Sequence, residues 1–164
     1  MFIIIAGLVV FIDQLSKLAI IYYAQSHSIS LGRSLSRWFG IFDIVYTTNP
    51  GAAFGIFPEQ RWIFIGISII AIVGILFYVW RYKKDITRWS NIGFSLIFGG
   101  AIGNLIDRLV RIEVVDFIDV HIGRYHWPAF NVADSAICIG VGLIILEMFI
   151  KVKREKIIRT ENPK

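Results

Sequence analysis

Charge and cysteine are both scarce in this sequence of 164 residues. Lys, Arg, Asp and Glu together make up 18% of the chain, whereas hydrophobic residues make up 56%. A soluble domain needs more polar surface than this composition supplies. The chain has one cysteine, Cys138, so an intrachain disulfide is excluded. Internal repeats and low-complexity tracts are also absent from the sequence. The composition therefore argues against an ordinary soluble domain.

Long apolar runs account for the excess of hydrophobic residues. Each run is close to the ~20 residues that a helix needs to cross a bilayer. The runs lack the alternation of apolar and polar residues that is typical of barrel strands. We therefore expect one membrane domain over residues 1–164, an all-α polytopic protein with four transmembrane helices. The predicted helices lie at residues 2–23, 62–80, 91–108 and 132–150.

Basic residues predict how these helices are oriented. Ten of the 17 Lys and Arg residues fall in the short segment 81–90 and in the tail 151–164. Positive charge is retained on the cytoplasmic side of a membrane, so both termini are expected to be cytoplasmic. Segments 24–61 and 109–131 are then extracytoplasmic. The net charge of +5 follows from this topology, and no aromatic-basic motif for nucleic acid is present.

The predicted connection 24–61 is longer than two neighbouring helices require. Loops beyond ~12–15 residues are usually functional or disordered. The stretch Trp38–Thr48 is rich in aromatic and β-branched residues, which favours short strands, and Asn49-Pro50-Gly51 marks a turn. We therefore expect a small extracytoplasmic β element between the first and second helices, lying on the membrane surface.

Polar side chains enter three of the four apolar runs. Such residues are costly at membrane depth and usually mark a functional cavity. In each run they recur at helical spacing, which places them on one face of the helix. We therefore predict that the three polar stripes meet around one cavity at the outer membrane face. The residues are Asp13, Ser16 and Lys17, then Gly100, Asn104 and Arg108, then Asn131, Asp134 and Ser135.

The same residues also have structural explanations. Asp13 and Lys17 fit an i,i+4 ion pair, and Asp107-Arg108 fits a charge pair near the membrane interface. Asn131 followed by Asp134 fits a helix N-cap with an acidic third residue. These interpretations remain open beside the functional ones.

Most catalytic chemistries suit the sequence poorly. Ser16 and Lys17 are adjacent on a helix and point in different directions, so a serine–lysine pair is not expected. His121 and His126 lack further metal ligands and the HExxH pattern is absent, so neither a metal site nor a cofactor is expected. A surplus of carboxylates remains between residues 107 and 134. Two carboxyl groups that share one proton can activate water and protonate a carbonyl, as aspartic peptidases do.

Five blocks of this sequence resemble the lipoprotein signal peptidases, also called signal peptidase II. They occur in the family's order and span residues 13 to 135. One departure is the N-terminus, which lacks the basic residues that many relatives carry. The blocks are Asp13–Lys17, Asn49–Phe54, Gly99–Arg108, Val114–Phe117 and Phe130–Ser135.

The resemblance implies an aspartic endopeptidase of the bacterial inner or plasma membrane. Such an enzyme removes signal peptides from prolipoproteins by cutting before a diacylglyceryl-modified cysteine. Asp116 and Asp134 correspond to its catalytic pair, although spacing alone also permits Asp119 in place of Asp116. The expected partners are these substrates and membrane lipids, and we expect a monomer. The residues expected to bind substrate or support the site are Asp13, Lys17, Asn49, Gly51, Phe54, Gly100, Asn104, Arg108, Asn131 and Ala133.

The main alternative function is a small transporter or a proton pathway. That function predicts acidic residues spread through the membrane depth and often a repeated architecture. Here the carboxylates gather toward one membrane face. A non-enzymatic scaffold would explain the glycines but not Asp116 together with Asp134.

Overall fold

A computed structural model describes residues 1–38, 41–51, 60–123 and 125–161. Within these ranges, four helices are long and apolar enough to cross a membrane, which confirms the predicted fold class. Each helix is longer than predicted, because hydropathy marks the part within lipid and helical hydrogen bonding continues beyond it. The helices are α1 (Phe2–Ser26), α2 (Arg61–Arg81), α3 (Arg88–Val110) and α4 (Val132–Glu161).

Helix α3 lies at the centre and packs against α1, α2 and α4. Its contact with α4 depends on two facing glycines. A Cβ atom on Gly140 would lie 2.6 Å from the Gly93 carbonyl oxygen, and one on Gly93 would lie 2.9 Å from the Gly140 carbonyl oxygen. Small residues allow membrane helices to approach closely, which strengthens van der Waals packing where lipid supplies no hydrophobic force.

Helix α2 lies at the periphery of the bundle. Of its residues, only Ile65 is buried, although the helix is the most hydrophobic of the four candidate spans. Large side chains such as Trp62, Ile70 and Trp80 are instead exposed. An apolar helix with most of its side chains exposed suits a lipid environment.

A small antiparallel sheet lies outside the spanning segments. Its strands are β1 (Arg33–Trp38), β2 (Phe42–Asn49), β3 (Val114–Ile122) and β4 (Tyr125–His126), in that order across the sheet. The predicted β element between the first two helices is confirmed by β1 and β2. The sequence did not predict β3 and β4, which come from the segment between α3 and α4. Asp116, Asp119 and His121 interrupt the apolar pattern of β3, so its strand character is hidden.

The pairing of β2 with β3 determines where the site forms. Thr47 lies opposite Asp116, and Asn49 lies opposite Val114. The Asn49 turn, which is more than sixty residues away in sequence, is thereby brought beside Asp116. Strand β3 follows α3 and precedes α4, so Asp116 also lies near the C-terminal end of α3 and the N-terminal end of α4.

Candidate active site

Asp116 and Asp134 lie on the wall of one cavity of about 520 Å³. Asp116 belongs to β3, and Asp134 belongs to the first turn of α4. The structure therefore brings together the two residues that the resemblance paired. Other predicted site residues in the lining are Asn49, Gly51, Asn104 and Arg108.

Asp116 is almost completely buried and is held by two amides. Its Oδ1 accepts a hydrogen bond of 2.7 Å from Asn131 Nδ2, and its Oδ2 accepts one of 3.3 Å from Asn49 Nδ2. Burial, followed by the charge of Asp134, raises the pKa of Asp116 to about 7, against the opposing effect of the two amides. The cost of removing a carboxylate from water and placing it near a like charge therefore favours a protonated Asp116 near neutral pH.

Asp134 is held by an amide on one side and by the backbone on the other. Its Oδ1 accepts a hydrogen bond of 2.7 Å from Asn104 Nδ2. Its Oδ2 accepts one of 3.2 Å from the Asn131 N–H, while the Asp134 N–H donates one of 2.9 Å to Asn131 Oδ1. This reciprocal pair is a capping box, which confirms the helix-cap interpretation. Asn131 therefore caps α4 and contacts both aspartates.

Lys17 is fully buried, and its ammonium group contacts three oxygen acceptors. The Nζ atom lies 2.9 Å from Asp13 Oδ2, 2.8 Å from Asp107 Oδ2 and 3.1 Å from Asn104 Oδ1. The ion pair predicted between Asp13 and Lys17 is therefore confirmed. Because Lys17 binds the Asn104 oxygen, the Asn104 amide nitrogen is turned toward Asp134. Lys17 thus acts on the site through Asn104.

The predicted charge pair between Asp107 and Arg108 is wrong. Asp107 pairs with Lys17 and with Arg111, which lies one helical turn further along α3. Adjacent residues diverge on a helix, whereas residues four apart lie on one face. Gln14 also contacts Asp107, with 3.1 Å between Nε2 and Oδ1. Gln14 and Arg111 were not among the predicted site residues, because Gln14 lies beside the polar stripe of Asp13, Ser16 and Lys17 and Arg111 follows the predicted third helix.

Helices α1, α3 and α4 converge at small residues beneath the two aspartates. Asp13 Oδ1 accepts a hydrogen bond of 2.9 Å from the N–H of Ala133, which is fully buried. A Cβ atom on Gly103 would lie 2.6 Å from Asp13 Oδ2, and one on Gly100 would collide with the Ala133 carbonyl oxygen. Glycine at both positions lets the three helices approach closely enough for Asp13 to reach α4.

Arg108 connects α3 to the turn that follows β2. Its guanidinium donates to the Asn104 and Gly51 carbonyl oxygens, each at 3.3 Å, and lies 5.3 Å from the centre of the Phe64 ring. The Gly51 N–H donates to Asn49 Oδ1 at 3.0 Å. These contacts hold the turn against the cavity. Phe54, the remaining predicted site residue, lies outside the described residues.

Asp119 belongs to a different cluster from Asp116. Successive side chains of a strand alternate between its two faces, so residues three apart point in opposite directions. Asp119 lies opposite Asp43 in the sheet, and His121 Nε2 is 3.6 Å from Asp43 Oδ1. Asp43, Asp119 and His121 each offer one possible metal-ligand atom, and these atoms lie within 4.8 Å of one another. In the described part of the chain, this is the group of residues that could bind one metal ion. The sequence paired His121 only with His126, because the strand register that brings Asp43 close was not readable.

Both the sequence and the fold are similar to those of known proteins. The family described as Signal peptidase (SPase) II matches residues 5–150. The "Lipoprotein signal peptidase" of Syntrophus aciditrophicus (strain SB) is 43% identical over 94% of this chain and 96% of that protein. The "Lipoprotein signal peptidase" of Bacillus subtilis (strain 168) is 41% identical over 93% of this chain and 95% of that protein.

Two solved structures, each described as a bacterial membrane enzyme determined by the in meso method, share the fold. One, at 2.3 Å resolution, aligns with a TM-score of 0.80 and 35% identity over 93% of this chain and 90% of that chain. The other, at 1.9 Å resolution, aligns with a TM-score of 0.75 and 37% identity over 90% of this chain and 91% of that chain.

Proposed function

The chain belongs to the signal peptidase II family, and on that basis we propose an aspartic mechanism in which Asp116 and Asp134 are the catalytic pair. As a member of this family, it is a multi-pass membrane peptidase that removes signal peptides from prolipoproteins. The observation that carries the mechanism is the hydrogen bonding of both carboxylates by Asn131, at the wall of one cavity. We also propose that the enzyme is monomeric and contacts membrane lipids.

The chemistry requires one proton shared by two carboxyl groups. The ionised carboxylate accepts a proton from a water molecule, whose oxygen then attacks the scissile carbonyl carbon. The neutral carboxyl group donates its proton to the carbonyl oxygen, giving a tetrahedral intermediate. The carboxyl group that took the proton from water then gives it to the amide nitrogen, the C–N bond breaks, and the other carboxylate takes back a proton from a hydroxyl group of the intermediate. The pKa of about 7 for Asp116 supports a singly protonated pair at neutral pH.

The walls of the cavity suit a substrate that remains in the bilayer. On the α4 side the lining includes Cys138 and Ile139, and Ile139 is more than half exposed on the surface that faces lipid. Trp127 continues this apolar wall outside the membrane-spanning segment. A cysteine with a diacylglyceryl group can therefore keep its acyl chains in lipid while the preceding peptide bond reaches the aspartates. We propose that cleavage occurs immediately before that cysteine.

Lipid dependence of cleavage tests this function. The full chain, purified in detergent, would be incubated with one prolipoprotein in two forms, with and without the diacylglyceryl group. We expect release of the signal peptide from the lipidated form only, with mass spectrometry placing the new N-terminus at the modified cysteine. Equal cleavage of both forms, or a cut at another bond, would contradict the proposed specificity.

We also propose that both termini and residues 81–90 are cytoplasmic, which places the aspartates near the extracytoplasmic face. Single cysteines introduced by Arg33→Cys or Lys84→Cys, each in a Cys138→Ser background, provide the test. Both positions are exposed, one on β1 and one between α2 and α3. In right-side-out vesicles, an impermeant thiol reagent should label residue 33 before lysis and residue 84 only after it. Labelling of both residues before lysis would exclude this topology.

A further inference from the structure

We propose that Asp107 is a positioning residue, which holds strand β3 so that Asp116 faces Asp134. This inference rests on the proposed function of the two aspartates. Asp107 is fully buried in the last turns of α3. Its Oδ2 accepts a hydrogen bond of 3.1 Å from the N–H of Val115, the residue that precedes Asp116. A side chain of α3 thereby fixes the peptide unit next to the proposed catalytic residue.

Hydrogen bonds hold Val115 through both its N–H and its carbonyl group. Its carbonyl oxygen accepts a hydrogen bond of 3.2 Å from Asn131 Nδ2, the amide nitrogen that also lies 2.7 Å from Asp116 Oδ1. Its side chain is 2% exposed, so packing limits movement as well. Loss of the hydrogen bond to Asp107 would leave the Val115 N–H unrestrained, while the Val115 carbonyl group would still be held by Asn131. The Asp116 carboxylate would then shift relative to Asp134 without any change in the cavity wall formed by α4.

The connection between α3 and β3 contains a strained residue. Helix α3 ends at Val110, and Ile112 then adopts φ of +75°. A β-branched residue in this left-handed region costs about 1–3 kcal/mol, and such strain persists only where the surroundings impose it. The hydrogen bond from Val115 to Asp107 closes the chain across this turn. It is therefore one of the contacts that impose the strained conformation.

Charge balance shows that Asp107 does more than neutralise Lys17. The Lys17 ammonium already pairs with Asp13 at 2.9 Å, so those two residues alone are balanced. Asp107 brings a second buried negative charge, which Arg111 balances from the opposite side. If neutralising Lys17 were the only need, neither Asp107 nor Arg111 would be required. Besides the Gln14 amide, the Val115 N–H is the contact of Asp107 that this charge balance leaves unexplained.

Two double variants separate the hydrogen bond from the charges. Asp107→Asn with Arg111→Gln removes one charge of each sign and keeps a side-chain oxygen that can accept from Val115. Asp107→Leu with Arg111→Gln removes the same charges and removes the oxygen. In both double variants Lys17 and Asp13 remain paired. The Asn and Leu variants therefore differ mainly in whether residue 107 has an oxygen that can accept the hydrogen bond from the Val115 N–H. Cleavage of the lipidated prolipoprotein and hydrogen exchange at the Val115 amide are measured for both variants and the wild type.

We expect kcat of the Leu variant to be on the order of 100-fold below that of the Asn variant, because a displacement of about 1 Å can cost that much. KM should be equal in the two variants, since Asp107 is fully buried and does not line the cavity. The Val115 amide should exchange faster in the Leu variant. A structural role alone would lower the melting temperature of the Leu variant but leave kcat of the folded fraction unchanged.

Equal kcat values in the two folded variants would overturn the proposal, as would a loss that appears in KM instead of kcat. If the Leu variant does not fold, Asp107→Ala in the same background removes the same oxygen, and its kcat must again fall below that of the Asn variant. Failure of the wild type to cleave the substrate would contradict the proposed function. In that case the rate of hydrogen exchange at the Val115 amide still decides whether Asp107 holds β3. Equal exchange rates in the Asn and Leu variants would refute the inference.

Discussion

Replacing either Asp116 or Asp134 with asparagine is expected to abolish cleavage of a lipidated prolipoprotein while the protein still folds. Each variant loses a group that must exchange protons with water or with the scissile carbonyl, and such groups contribute about 10²- to 10⁴-fold. The double variant should be little worse than either single variant, because residues that act as one unit are non-additive. Substantial cleavage by either single variant would remove that residue from the mechanism.

Asp119→Asn is the matched control for this experiment. It changes a carboxylate on the same strand, but that residue belongs to the cluster with Asp43 and does not line the cavity. We therefore expect Asp119→Asn to keep most of the activity. A folded but inactive Asp119 variant would show that the pair has been misassigned.

Thermal melting at several pH values serves two purposes. A cooperative transition shows that Asp116→Asn is folded, and the pH dependence of the melting temperature tests the burial of Asp116. The pKa of Asp116 is about 7 in the folded protein, against an ordinary value of 3.8, so the folded state binds the proton more tightly. The wild type should therefore lose stability as pH rises from about 4 to about 7. An asparagine side chain does not titrate in this range, so the part of the pH-dependent loss of stability that comes from Asp116 should be absent in Asp116→Asn. Thermal melting of both proteins across that pH range measures the difference.

Lys17→Met should cause a large loss of stability together with a loss of activity. Lys17 is fully buried beside Asp13 and Asp107, so its removal leaves a buried negative charge without compensation. Breaking a buried ion pair from one side costs about 3–5 kcal/mol. Activity should fall further in the folded fraction, because Asn104 would no longer be held with its amide nitrogen toward Asp134. Thermal melting in detergent and cleavage assays measure the two effects.

A double-mutant cycle identifies the origin of the Lys17 effect. Adding Asp13→Asn to Lys17→Met restores charge balance and keeps an oxygen that can accept from Ala133, so part of the stability should return. Lys84→Met removes an exposed lysine between α2 and α3 and should change little. A Lys17→Met protein that melts with the wild type would contradict a compensating role for this lysine.

The four helices were predictable because apolar runs of bilayer length have few alternative structures. The polar stripes also predicted which helix faces meet, since Lys17 contacts both Asp13 on its own helix and Asn104 on α3. Strand β3 was not predictable, because its carboxylates and histidine obscure the apolar alternation. Two further features, the partners of Asp107 and the cluster around Asp43, depend on side-chain packing and strand register. Local sequence patterns do not encode either of these.

The capping role of Asn131 has a consequence for biosynthesis. Asn131 and Asp134 both lie at the start of α4, which follows the other three described spanning helices in the chain and is therefore synthesised after them. A nascent chain with three inserted helices already contains Asp116 and Asn49 but lacks Asn131, the second amide that holds Asp116, and the second carboxylate. On the proposed mechanism, peptidase activity therefore begins only when α4 forms and enters the membrane, so a chain that stops before α4 has no peptidase activity.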